Sequence, residues 1–288
     1  MAEILSYDFM QNALLGGLLV SIVCGVVGSL VVINRMSFIA GGIAHGAYGG
    51  IGIALFLGIS PVLGASVFAL FLGLLIAYVT LRNTERFDAV IGAIWAFGMA
   101  LGIIFADLTP GYKSDLMSFL FGSILAINHE NLIFIGICGA TFAALTACFY
   151  RQFLAISFDK EFALLRGVNT SVFYYVLVVM ASLAVVASIQ IVGLILVISL
   201  MTIPPFIAEK ISKSLGSMMA ISPRAHWRLC SPRAWTRTTF LPKRIRSSAP
   251  SKARLQESTF QAARRDRRIF PKRFHRQARR RAKLSDCF

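Results

Sequence analysis

The chain has 288 residues, 57% of them hydrophobic, with a formal net charge of +16 and a mean hydropathy of +0.72. Uncharged apolar runs of about 20 residues recur, which excludes a soluble globular domain and points to a polytopic membrane protein. The positive charge does not mark a nucleic-acid binder, because it is confined to one end: residues 1–221 hold 9 basic and 10 acidic side chains, residues 222–288 hold 20 and 3.

The opening stretch "MAEILSYDF" is acidic and lacks a basic n-region, so the first apolar run is expected to remain as a span and not to be cleaved. In chain order the apolar runs predict spans at 12–33, 38–58, 61–81, 89–106, 131–150, 171–188 and 190–207. Each should be helical, since lipid offers the backbone no hydrogen-bond partner. The joins "GISP" (58–61) and "SIQ" (188–190) are short enough to require tight hairpins or broken helices. With the first residues outside and strict alternation, Arg35, Arg82, Arg86, Arg151, Lys160, Arg166, Lys210 and Lys213 all fall on the cytoplasmic side, and only Lys113 falls outside. This is the positive-inside pattern. Cysteines 24, 138, 148, 230 and 287 show no paired spacing, and three of them sit in apolar runs as small hydrophobes.

The second span carries a histidine in "SFIAGGIAHGAYGGIGIA" (37–54). Gly42, Gly46 and Gly50 recur every fourth residue, the spacing that lets membrane helices approach closely. His45 shares an adjacent stripe with Gly41, Tyr48, Gly49 and Gly52. Glycines a turn above and below should leave empty volume around the imidazole. Ten residues from Arg35, at ~1.5 Å each, place His45 ~15 Å deep, near the midplane. Polar groups at that depth are expensive and mark transport paths. The plainer alternative is a histidine that only hydrogen-bonds a neighbouring helix.

Two loops are longer than a hairpin. In the outer one (107–130) the apolar core 116–127 is too short to span, and reads as a re-entrant or interfacial helix. Asp107, Asp115, His129 and Glu130 line this loop, either as a solvated rim or as a receiving point for a cation. The inner loop (151–170) predicts a short helix capped by Asp159, with Phe162 and Leu165 on an apolar side and Gly167 ending it.

Four stretches, "INRMSFIAGGIAHGAYGGIGIA", "SDLMSFLFGSIL", "SFDKEFALLRGVN" and "ASIQIVGLILVISLMTIPPFIA", occur in the order in which similar stretches occur in ABC-importer permeases for zinc, manganese and iron. The resemblance covers about residues 10–215. It implies a homodimeric permease in the plasma membrane, driven by a cytoplasmic ATP-binding subunit and fed by an extracytoplasmic metal-binding protein. The cargo would be a divalent metal ion, with no cofactor held by the chain itself and no specific nucleic-acid partner. The family's metal-site histidine falls on His45, with Gly41, Tyr48 and Gly49 beside it along the substrate path. The aspartate that usually stands one turn earlier is replaced here by Gly41. Phe158, Asp159, Glu161, Ala163 and Gly167 fall where the family's ATPase-docking helix lies. The chain has no GxxxxGK[ST] loop of its own, so hydrolysis would belong to the partner, and it shows no nucleophile–base pair. Two other readings stay open: an ion-coupled carrier using His45 as a proton-sensitive group, or a truncated, non-functional permease product.

From about Ile221 the composition changes to dense arginine interrupted by proline, with no periodicity and no apolar run of spanning length. This gives a permease domain at 1–221 and a basic, low-order tail at 222–288 that departs from the family pattern. A shifted reading frame produces such a segment. The rival is a real disordered tail that adheres to anionic surfaces.

Overall fold

A computed structural model of the protein describes residues 8–82, 87–109, 115–122, 127–158, 160–165, 167–212 and 214–230. The chain divides into units 1–231 and 232–288, and the first of them contains all of these residues. Asp159 and tail residues 231–288 lie outside the described residues.

Among the described residues eleven helices follow one another: α1 (Asp8–Ile33), α2 (Ser37–Leu57), α3 (Pro61–Arg82), α4 (Phe87–Leu108), α5 (Asp115–Phe121), α6 (His129–Cys148), α7 (Tyr150–Phe158), α8 (Lys160–Leu165), α9 (Thr170–Val192), α10 (Leu194–Ile211) and α11 (Leu215–Cys230). Of these, α1, α2, α3, α4, α6, α9 and α10 are long and apolar enough to cross a membrane, matching the seven runs in the sequence. The protein is thus an all-α, multi-pass membrane bundle.

The joins follow from backbone stereochemistry. After α1, Arg35 takes φ 57°, its N–H bonds the Val32 carbonyl at 3.0 Å, and the Met36 N–H bonds the Val31 carbonyl at 2.8 Å. Glycine usually supplies this helix ending, and a side chain in the left-handed region costs about 1 kcal/mol. Gly58 (φ 68°) ends α2 in the same way, and Pro61 opens α3 where a missing N–H costs nothing.

One join differs from the sequence expectation. The break was expected at 188–190, but α9 runs through Ser188, Ile189 and Gln190 and stops at Gly193, whose φ is 81°. Those three residues hold helical angles without strain, whereas only glycine enters the positive-φ region cheaply. Gly193 lies against Phe121 and Gly122 at the end of α5, so closely that a Cβ on either glycine would overlap the other strand of backbone. The short outer helix therefore abuts the α9–α10 break.

Helix α2 is the centre of the bundle, packed against α3 and α4 and also against α9 and α10. Its glycines make this possible. A Cβ at Gly50 would lie 2.5 Å from the Gly64 carbonyl of α3, one at Gly98 of α4 would lie 2.5 Å from the Gly46 Cα, and Gly52 and Gly102 meet backbone to backbone. Side-chain-free surfaces let van der Waals contact replace the hydrophobic drive that lipid does not supply. In α10, Pro205 removes the N–H that would bond the Met201 carbonyl, and Gly28 of α1 lies directly against that carbonyl.

Two features go beyond the sequence reading. The inner loop holds two helices, α7 and α8, where one was expected. Helix α11 continues through the expected boundary at 221/222: Met218, Ser222, Ala225 and His226 form its buried face, and the Pro223 ring fills a notch at Gly25 of α1.

Candidate functional site

His45 lies on α2 eight residues after Ser37. From Ile39 to Gly52 every residue of α2 is buried except His45, which is half-buried. The imidazole is thus the one accessible group in the best-covered stretch of the bundle. Its Nδ1 lies 3.0 Å from the Gly41 carbonyl. A carbonyl only accepts, so Nδ1 carries the proton and Nε2 keeps its lone pair. This is the tautomer that a metal-ligating histidine adopts when its other nitrogen is held by the backbone.

One face of the ring is covered. Trp95 of α4 stacks on it with centroids 3.9 Å apart and planes 27° apart, and Phe38 stands 6.4 Å from Trp95 at a tilt of 48°. Trp95 is eight residues into α4, as His45 is into α2, so both rings lie ~12 Å from the inner helix ends. The sequence reading missed Trp95. A tryptophan this far from the interfacial belt was the available signal.

The space around the ring is one-sided. A Cβ at Gly49 would lie 2.8 Å from the Gly98 carbonyl and 3.0 Å from Phe68, and Tyr48 is buried against Gly102. The expected room above the ring is therefore taken up by α3 and α4. At Gly41 a Cβ would meet only the Ile198 Cδ1 at 3.9 Å, so the room lies a turn below, towards α10. Among the described residues no three His, Cys, Asp or Glu side chains gather to hold a metal, so His45 acts without a cage of such groups around it.

The outer polar residues do not converge on this ring. Asp107 ends α4, and His129 and Glu130 are exposed at the start of α6.

Helices α7 and α8 together present an apolar surface. Phe158 is 75% exposed, Leu165 is 85% exposed, Leu164 and Glu161 also face outward, and Ala163 is fully buried beneath them. Gly167 (φ 78°) ends α8 as its sequence position predicted: its N–H bonds the Leu164 carbonyl and the Val168 N–H bonds the Ala163 carbonyl, each at 3.0 Å. Helix α7 is held down by Phe153, buried and edge-on to Phe173 at 5.5 Å, and by Tyr150, whose hydroxyl accepts from the Gly216 N–H at 2.9 Å.

A bundle of spanning helices with a half-buried imidazole in its best-covered helix, a short helix abutting the α9–α10 break and an exposed apolar knob at α7 and α8 is an architecture suited to a transport permease. The chain belongs to the ABC 3 transport family, whose profile matches residues 6–225. It is 45% identical to an uncharacterized membrane protein of Synechocystis, over 77% of this chain and 79% of that one. It is 33% identical to the manganese import system permease protein ScaB of Streptococcus parasanguinis, over 75% of this chain and 77% of the relative. Among solved structures, PsaBC from Streptococcus pneumoniae in complex with Fab superposes with a TM-score of 0.70 at 31% identity, covering 77% of this chain and 80% of the other. The protein is accordingly a multi-pass plasma-membrane permease of this family.

Proposed function

We propose that this chain is the membrane subunit of an ABC importer for a divalent transition metal, and that His45 is where the ion rests in transit. The manganese permease relative and the likeness to PsaBC support the cargo class. The observation that carries the site is the half-buried imidazole alone in a buried helix, with its Nδ1 tied to Gly41 and its Nε2 left as an electron-pair donor. Borderline metals favour imidazole nitrogen. The remaining ligands would be water, backbone oxygen and the His45 of a second copy in a homodimer. A separate ATP-binding subunit hydrolyses ATP and docks on Phe158, Glu161, Leu164 and Leu165. An extracytoplasmic metal-binding protein delivers the ion from the other side. Closure of the ATPase moves α7 and α8, and the spans rearrange around α2 so that His45 faces each side in turn.

Reconstitution with the partner ATPase and binding protein tests this. Uptake of manganese, zinc and iron, each tried in turn, should require ATP. His45→Ala should lower uptake at least about tenfold at unchanged membrane expression, the loss of roughly 1.4 kcal/mol or more of cargo binding. Uptake driven by a proton gradient alone, or unaffected by His45→Ala, would overturn the reading.

The same proposal takes the permease domain to end near residue 221 and the rest to be sequence foreign to it. Ser222 Oγ and His226 Nδ1 lie buried without a partner in α11, as Thr146 Oγ1 and the Gln190 amide do within α6 and α9, so what supports a foreign origin is the mismatch between the basic composition after Ile221 and the apolar spans before it. A reading-frame shift produces that mismatch. Sequencing the gene should find apolar spans in a neighbouring frame after codon 220, and stop codons there would refute it.

A further inference from the structure

The cytoplasmic knob and the histidine helix are joined by a polar contact. Asn34, in the turn between α1 and α2, donates from Nδ2 to the Leu30 carbonyl at 2.9 Å and to the Ser157 Oγ of α7 at 2.9 Å. The Leu30 carbonyl only accepts, which fixes the amide orientation: both Nδ2 hydrogens are spent and Ser157 is the acceptor. Ser157 immediately precedes Phe158, one of the exposed apolar residues of the knob.

The turn is short and stiff. Asn34 is followed by Arg35, locked in the left-handed region by two backbone bonds, then by buried Met36, whose carbonyl accepts from the Ala40 N–H in the first turn of α2. Three residues separate the end of α1 from the start of α2, and none is a freely rotating glycine. A displacement of Asn34 therefore passes into α2 without being absorbed. Helix α7 is equally well tied, by Phe153 to α9 and by Tyr150 to α11. It behaves as an arm whose one side-chain hydrogen bond to the turn feeding α2 is the Asn34–Ser157 pair.

We propose that Asn34 and Ser157 are positioning residues for transport: their hydrogen bond carries the movement of the docked ATPase from α7 into α2 and hence to His45, and it persists through the cycle. The inference rests on the docking reading above. Removing the pair should leave docking and hydrolysis in place but weaken the link to cargo movement.

The test uses the full chain reconstituted with its ATPase and binding protein, measuring manganese uptake and ATP hydrolysis in the same vesicles. Asn34→Ala and Ser157→Ala should each cut ions moved per ATP by about threefold, on the scale of one neutral hydrogen bond. Hydrolysis should stay within about twofold of the parent in both variants. The double variant should be no worse than either single one, the non-additivity of a shared contact. Ser157→Thr, which keeps the hydroxyl, should restore the ratio. Unchanged ions per ATP in Ser157→Ala, or losses that add in the double variant, would overturn the proposal. Parallel loss of uptake and hydrolysis in the single variants would also overturn it, since that marks a folding or docking role. Glu161→Lys separates the two readings. If it abolishes stimulated hydrolysis while Asn34→Ala leaves ions per ATP intact, the dock stands and the tie falls; if it leaves hydrolysis stimulated, the dock falls and takes the tie with it.

Discussion

Helices α2 and α4 are neighbours of nearly equal length, yet α4 is the more apolar and α2 the more buried: 78% of the α2 span is covered by protein, against 22% of α4. In a soluble protein the ranking would run the other way. In lipid, apolarity has no power to pull a helix inward, because the tails are as apolar as leucine. What brings α2 to the centre is the absence of side chains at Gly46, Gly50 and Gly52, which lets three backbones close on one another. Large residues are sent outward instead: Phe97, Ile103, Ile104 and Leu108 of α4 are all exposed. The histidine is tolerated in α2 because there it combines the Gly41 carbonyl, the stacked indole of Trp95 and shelter from lipid, shelter that the outer face of α4 does not give.

The contrast can be broken from both sides. The largest difference should come from deleting side chains. Ile43→Ala empties a fully buried site in α2 and should cost about 2–4 kcal/mol, whereas Phe97→Ala on the outer face of α4 should change stability by under about 0.5 kcal/mol. Thermal unfolding of the purified permease in detergent measures both. Next comes adding a methyl group. Gly52→Ala drives a Cβ into the backbone of Gly102 and should cost about 1–3 kcal/mol. Gly92→Ala on α4 meets nothing within 4 Å and should stabilise its helix by roughly 0.5–1 kcal/mol. If both glycines respond alike, close backbone approach is not what centres α2. The last test is at the glycine of α2 whose Cβ position is least crowded. Gly41→Asp has room for its side chain beside Ile198 and should fold, shifting the unfolding midpoint by only about 1 kcal/mol. With a carboxylate a turn from His45, half-maximal manganese uptake should move to lower concentration, and an unchanged or raised value would show that the open side at Gly41 is not on the path.

Much of this was legible in the sequence, for identifiable reasons. Span positions follow from hydropathy and their direction from arginine and lysine, both properties of single residues summed over a window. The glycine stripe and Gly167 were legible because spacing and helix-ending chemistry are local. What escaped depends on backbone angles or on residues far apart in the chain. The α9–α10 break is expected at 188–190 because the polar Gln190 interrupts the apolar run, whereas the helix ends where Gly193 takes a positive φ, which hydropathy does not report. Trp95 is separated from His45 by a whole span, and Ser157 from Asn34 by 123 residues. Gly49 looked like empty space until Gly98 arrived from another helix to occupy it. Helix α11 was hidden because the residue types after Ile221 change while the backbone carries on to Cys230.

The Pro223 notch has a consequence for the surrounding bilayer. Gly25 lies eight residues from the inner end of α1, so Pro223 packs ~12 Å along that helix from its end. Arg224 follows it on the exposed side of α11. A guanidinium at that level stretches its stem back to the phosphates and draws headgroups and water down to meet it. With such a side chain on this flank the inner leaflet should thin locally, and lipids with short or disordered tails should collect there.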